Sequence, residues 1–77
     1  MITPSFTYQR DTSRPGLHSW ITSPDGATCY GLISYDPQTF SWFAGEGFEH
    51  LGPHPYFTGH EAARALVLRA VDAAATN

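Results

Sequence analysis

The tetrapeptide Ser23-Pro24-Asp25-Gly26 constrains this fold more than any other stretch of the chain. Proline presets the backbone for the second position of a type I turn, and glycine accepts the left-handed conformation that follows. Residues on both sides of the turn alternate. Before it, His18, Trp20 and Thr22 oppose Leu17, Ser19 and Ile21. After it, Cys29, Gly31, Ile33 and Tyr35 oppose Thr28, Tyr30, Leu32 and Ser34. A period of two marks a strand, and two strands joined by so tight a turn form an antiparallel hairpin. Asp36-Pro37-Gln38-Thr39 signals a second tight turn, after which Phe40, Trp42 and Ala44 oppose Ser41 and Phe43. Upstream, Phe6, Tyr8 and Arg10 alternate with Thr7 and Gln9. Strands are expected over about 5–10, 17–23, 27–35 and 39–44, making a three- to four-stranded antiparallel meander.

The remainder divides into a loop and a helix. Gly45, Gly47, Gly52, Pro53 and Pro55 break any regular pattern over 45–57. That loop carries Glu46, Glu49, His50 and His54, and loops of this length in compact domains are often functional. Thr58-Gly59-His60-Glu61 then has the form of a capping box, with Phe57 placed to act as a hydrophobic staple. A helix is expected over about 59–74. Ala62, Ala63, Leu66, Val67, Ala70, Ala73 and Ala74 share its broad apolar face, and Glu61, Arg64, Leu68 and Asp72 lie opposite. The alanines let the helix lie close to the sheet. Leu68 is expected to be exposed in a charged surround, as a contact point for a partner. The fold class that follows is α+β: one meander sheet with a single C-terminal helix across one face, in one domain spanning 1–77.

Charge narrows the choice of partners. No lysine occurs in the 77 residues, and four arginines oppose seven acids for a formal net charge of −3. A nucleic-acid binder of this size normally carries a basic stripe that neutralises phosphates. Arg10, Arg14, Arg64 and Arg69 are scattered, so direct nucleic-acid binding is not expected. The N-terminus has no basic region followed by an apolar run, and no stretch approaches the ~18 apolar residues of a membrane span. A lone cysteine, Cys29, fits a reduced, cytoplasmic setting and reads as a small buried hydrophobe on its strand. A chain this short hides only about 60% of its unfolded surface, so stability near ~5 kcal/mol is expected.

No catalytic signature emerges. His50, His54 and His60 with Glu46, Glu49 and Cys29 are residue types that ligate zinc, but their spacing matches no ligand pattern and no close cysteine pair anchors them. No cofactor or metal is expected. Gly45 and Gly47 lack the spacing and lysine of a phosphate loop. No serine or cysteine stands in a nucleophile motif, so the chain is expected to be non-catalytic. Aromatics are plentiful, with five Phe, four Tyr and two Trp. These exceed what one small core needs, and aromatic residues are enriched at protein interfaces. Tyr30, Trp20, Trp42, Phe43 and Phe40 could form a base-stacking platform, but net acidity works against phosphates. A protein-facing role is the expectation instead, with Trp20, Tyr30, Trp42, Phe43, Glu46, Glu49 and Leu68 as the candidate partner-binding residues.

Two resemblances bear on this. Tyr56-Phe57-Thr58-Gly59-His60-Glu61-Ala62-Ala63-Arg64-Ala65 resembles the join between last strand and helix in plant AP2-type DNA-binding domains, which place three strands before a helix. The tryptophan–arginine pattern of that family's reading strands and its basic sheet are missing, so the resemblance speaks for element order and leaves nucleic-acid binding as the alternative function. In size, acidity and make-up the chain is similar to small phage and plasmid proteins such as anti-CRISPR inhibitors. That likeness implies steric occlusion of a larger host protein or ribonucleoprotein complex. Buried aromatic anchors would supply the affinity, and acids such as Glu46, Glu49 and Asp25 would select the partner. An uncovered sheet face could also pair with its copy in a symmetric homodimer.

Overall fold

The computed structural model describes residues 4–45 and 56–75. Four strands and one helix follow in chain order: β1 (Thr7–Arg10), β2 (His18–Thr22), β3 (Cys29–Asp36), β4 (Ser41–Ala44) and α1 (Gly59–Ala75). The sheet has the order β1-β2-β3-β4 and every pairing is antiparallel, so it is the expected meander. The α+β architecture, with α1 against one side of the sheet, is as the alternation and capping patterns predict.

Local chemistry makes the β2–β3 turn. The Gly26 amide donates to the Ser23 carbonyl at 2.9 Å, and Gly26 sits at φ 77°. Asp25 stitches the same turn by accepting from the Ser23 hydroxyl at 2.6 Å and from the Ala27 amide at 3.0 Å. These two donors hold its carboxyl below the usual range, the Ser23 hydroxyl contributing most. Asp36 plays the corresponding part after β3, accepting from the Gln38 amide and the Thr39 hydroxyl.

Register decides which side chains meet the helix. Tyr8 pairs with Ile21, Ile21 with Gly31, Ile33 with Ala44, and Tyr35 with Trp42, so these residues share one side. Ile21, Ile33 and Ala44 from the sheet close on Ala62, Ala63, Leu66 and Val67 from α1, all seven of them buried. Close approach is built into β3. A Cβ at Gly31 would stand 3.0 Å from Leu66 Cδ2, and Gly31 adopts φ 145°, a conformation side chains disfavour. The helix lies over β3 and β4 rather than over the whole sheet.

Three expectations need correction. Strict alternation separates Tyr30 from Gly31, but the register shifts between Ile21 and Thr22, so that Thr22 meets Cys29 and Ile21 meets Gly31. Tyr30 is the extra residue of that bulge and packs against the helix-side core. Cys29, read as buried, is exposed, because it enters β3 at the sheet margin. Phe57 does not staple the helix and is 85% exposed. The staple's partner position is Ala62, a single methyl already buried against the core, which offers a phenyl ring nothing to pack on. The cap itself forms: the Glu61 amide donates to the Thr58 hydroxyl oxygen at 3.1 Å, and that hydroxyl lies 3.3 Å from the Glu61 carboxylate.

Candidate interaction surfaces

The sheet side away from α1 carries Gln9, His18, Trp20, Leu32, Ser34 and Phe43, as the pairings of Gln9 with Trp20, Trp20 with Leu32 and Ser34 with Phe43 require. The sequence suggests a bare aromatic face there, and the structure shows a partly dressed one. Asp11, in the β1–β2 connection, accepts from the Trp20 indole N–H at 3.3 Å and from Arg14 Nε at 3.0 Å. The Arg14 guanidinium lies 6.0 Å from the Trp20 ring centroid. Ser13 donates to the same carboxylate through its hydroxyl and its amide, and together these donors hold the Asp11 carboxyl below the usual range. Trp20 is therefore half-buried, with its polar edge already bonded.

Beside it His18 and Ser34 form a pair with the look of a nucleophile and its base. His18 Nδ1 lies 2.7 Å from the Ser34 hydroxyl, and Nε2 lies 2.9 Å from the Pro15 carbonyl. A carbonyl only accepts, so Nε2 is the nitrogen that donates to Pro15, and Nδ1 shares its hydrogen bond with the serine hydroxyl. Ser34 is fully buried, however, and its hydroxyl has no path to an electrophile. The pair fastens the β1–β2 connection to β3.

The remaining partner-binding candidates do not form one patch. Trp42 is half-buried on the helix side, 5.2 Å from the Tyr35 ring and beside Gly59, and Tyr30 joins the same core. Phe43 stands on the opposite side, half-buried. Leu68, expected to be exposed, is half-buried in a shallow cleft with Tyr56, Glu61, Arg64 and Ala65. Glu46 and Glu49, with His50 and His54, lie outside the described residues. Among the described residues no three His, Cys, Asp or Glu side chains come together as metal ligands, and no helix is long and apolar enough to cross a membrane.

Two surfaces emerge that alternation could not show. The first is a corner with two phenylalanines. An antiparallel bridge joins Trp42 to Tyr56, with amide-to-carbonyl distances of 2.7 and 2.8 Å. Its antiparallel sense runs Phe57 back along β4 towards Ser41 and Phe40. Phe40 is 74% exposed and sits at φ 55°, the left-handed region in which a bulky residue is strained. A left-handed non-glycine position carries no composition signal, so the sequence reads Phe40 as an ordinary strand residue.

The second is an open cleft of about 410 Å³ between β1 and the first turns of α1, lined by Pro4, Ser5, Phe6, Tyr8, His60 and Arg64. It exists because α1 is offset towards β3 and β4. Phe6 meets Tyr8 edge-on at 5.8 Å and faces His60 at 5.6 Å. The Tyr8 hydroxyl lies 3.5 Å from His60 Nδ1, the long limit of a hydrogen bond.

No protein-family model, curated protein or solved structure matches this chain.

Proposed function

We propose that this chain is a small non-catalytic protein-binding module. It acts by occupying a surface of a larger host protein or ribonucleoprotein, in the manner of the phage and plasmid inhibitors it resembles. The observation that carries the reading is the Phe40–Phe57 corner. Two phenyl rings, 74% and 85% exposed, stand at the same end of β4, and one is kept there at the expense of a left-handed backbone. Strain of this kind persists where a side chain's position matters more than local stability. Large aromatics that reach full burial only in a complex are the usual energetic anchors of an interface. The net charge of −3 favours a partner that presents an apolar pocket with a basic rim.

The arginines support a protein partner over the nucleic-acid alternative. Arg14 is engaged with Asp11 on the face away from α1, Arg10 falls on the helix side of β1, and Arg64 lines the β1–α1 cleft. Arg14 is thus separated by the sheet from Arg10 and Arg64, and cations divided between the two sheet sides in a chain of net charge −3 make a poor phosphate track. The mobile-element origin rests on the likeness in size and acidity.

Affinity capture from host lysate, with and without nuclease, tests the reading when the wild type is run beside Phe40→Ser and Phe57→Ser. A stoichiometric protein that survives nuclease and is lost with either variant supports it. Recovery of nucleic acid alone, or of a protein held equally by the variants, sinks it.

A further inference from the structure

We propose that the outer edge of β1 is a self-association site, where a second copy of this chain adds its own β1 in antiparallel sense to make one continuous sheet. This inference stands independently of the partner reading, because it uses none of the Phe40–Phe57 corner at the β4 edge. Main-chain geometry carries it. The Asp11 amide donates to the His18 carbonyl at 2.9 Å. Bonded and non-bonded pairs alternate along an antiparallel ladder, so Gln9 with Trp20 and Thr7 with Thr22 are the other bonded pairs. The amides and carbonyls of Tyr8 and Arg10 therefore point away from β2, along the edge of the sheet.

Proteins commonly blunt such an edge with proline, a bulge or a covering segment. Among the described residues β1 has none of these: Thr7–Arg10 holds no proline, and its register with β2 runs residue for residue. The β4 edge is treated differently, since Trp42 already exchanges both main-chain bonds with Tyr56. Because α1 is offset towards β3 and β4, a strand can draw alongside β1 without meeting the helix.

Side chains select a copy of β1 over an unrelated strand. A two-fold axis through Gln9 sets Tyr8 opposite Arg10 of the second copy, and Arg10 opposite its Tyr8, with the outward main-chain groups in register to bond. Both side chains lie on the helix side of the sheet. Tyr8 is 48% exposed, and Arg10 is exposed with no ion pair among the described residues. A guanidinium over a phenol ring is a favourable contact, and the axis makes it twice. On the other side the two Gln9 carboxamides face each other, each able to donate and accept. No like charges stand directly opposite, although each copy carries −3. An unrelated strand would satisfy the main chain, but it would have to bring a cation opposite Tyr8 and a ring opposite Arg10. β1 itself, run in reverse, supplies both.

Sedimentation equilibrium of the full chain from about 1 μM to about 1 mM, with amide hydrogen exchange at low and high concentration, tests the assignment. A monomer should give way to a dimer, and the Tyr8 and Arg10 amides should gain protection as it fills. The Gln9 amide, bonded to β2, should change little. Arg10→Pro removes the guanidinium and an outward amide but no β1–β2 bond, since proline is tolerated where the nitrogen faces away from the sheet. It should raise the dissociation constant of the dimer at least about tenfold, whereas Arg69→Gln on α1 leaves it unchanged. A chain still monomeric at about 1 mM overturns the proposal. So does a dimer whose Tyr8 and Arg10 amides exchange as in the monomer, or one that Arg10→Pro leaves intact, since either places the contact on another surface. The wild-type exchange pattern decides the matter even if Arg10→Pro fails to fold.

Discussion

Replacing Gly31 with alanine should remove a large share of this domain's stability, and the structure supplies both terms of the loss. The first is backbone conformation. At φ 145° a Cβ is disfavoured whatever surrounds it, and holding a side chain in such a region costs about 1–3 kcal/mol. The second is contact. The new methyl would stand 3.0 Å from Leu66 Cδ2 and 3.3 Å from Cδ1, and Leu66 is buried among Ile33, Ala63 and Val67 with little room to turn. Overpacking by one methyl costs about 1–3 kcal/mol, and a terminal methyl group can yield somewhat, which favours the low end. The sum is about 2–4 kcal/mol in a domain expected to hold only ~5 kcal/mol. Urea denaturation followed by Trp20 and Trp42 fluorescence measures it. Gly31→Ala should move the midpoint sharply down, and adding Leu66→Ala should recover the contact term alone, giving a non-additive cycle. A Gly31→Ala loss below about 0.5 kcal/mol would refute both the close approach of α1 and the strained backbone beneath it.

Three further outcomes follow from named contacts. Phe40→Gly should raise stability by about 0.5–1 kcal/mol in thermal melts, since relief of the left-handed strain outweighs glycine's extra chain entropy, while weakening any partner complex. Asp11 and Asp25 both have carboxyls held below the ordinary value near 3.9, so the unfolded chain takes up protons first as pH falls. Their stabilisation is therefore complete above about pH 4–5 and is lost as pH falls through the lower folded values; acid titration of Asp11→Asn should show a shallower loss with altered Trp20 emission. Thr58→Ala deletes the hydroxyl that accepts from the Glu61 amide and should cost about 1 kcal/mol by urea denaturation.

What the sequence made legible is what local chemistry decides. The two proline-containing turns and the period-two runs set β2, β3 and β4, since each turn is closed by its own Asp25 or Asp36. Thr58 and Glu61 set the start of α1 for the same reason. The rest depended on contacts between residues far apart. Tyr30 changed sides because of a bulge fixed by pairing across two strands, which no alternation within β3 can reveal. Trp20 reads as bare in the sequence because its indole partner, Asp11, sits in a polar connection with no pattern of its own. Phe57 has the position of a staple, but its partner position holds Ala62, whose single methyl is spent on the core. The cleft was invisible for a further reason: Phe6 and His60 are far apart in the chain and meet only once α1 crosses the sheet.

That crossing links the two surfaces. Where α1 contacts the sheet, two small residues, Gly31 and Ala44, stand among Ile21, Ile33 and Trp42, and the helix answers with Ala62 and Ala63. On the β1 side the sheet presents Phe6 and Tyr8, too bulky for the same approach, and a cleft stands where the backbone cannot close. The Trp42–Tyr56 bridge sets the point at which the chain leaves β4 for the helix. Because Phe57 and Gly59 follow that bridge directly, the exposed phenylalanine and the first turn that brings His60 to Phe6 hang from one pair of backbone hydrogen bonds. A helix drawn squarely over all four strands would close the cleft, and a helix without the bridge would leave both surfaces unplaced. Gly31 and Ala44 thus do more than permit packing: by bringing α1 down over β3 and β4, they leave the cleft beside β1 open.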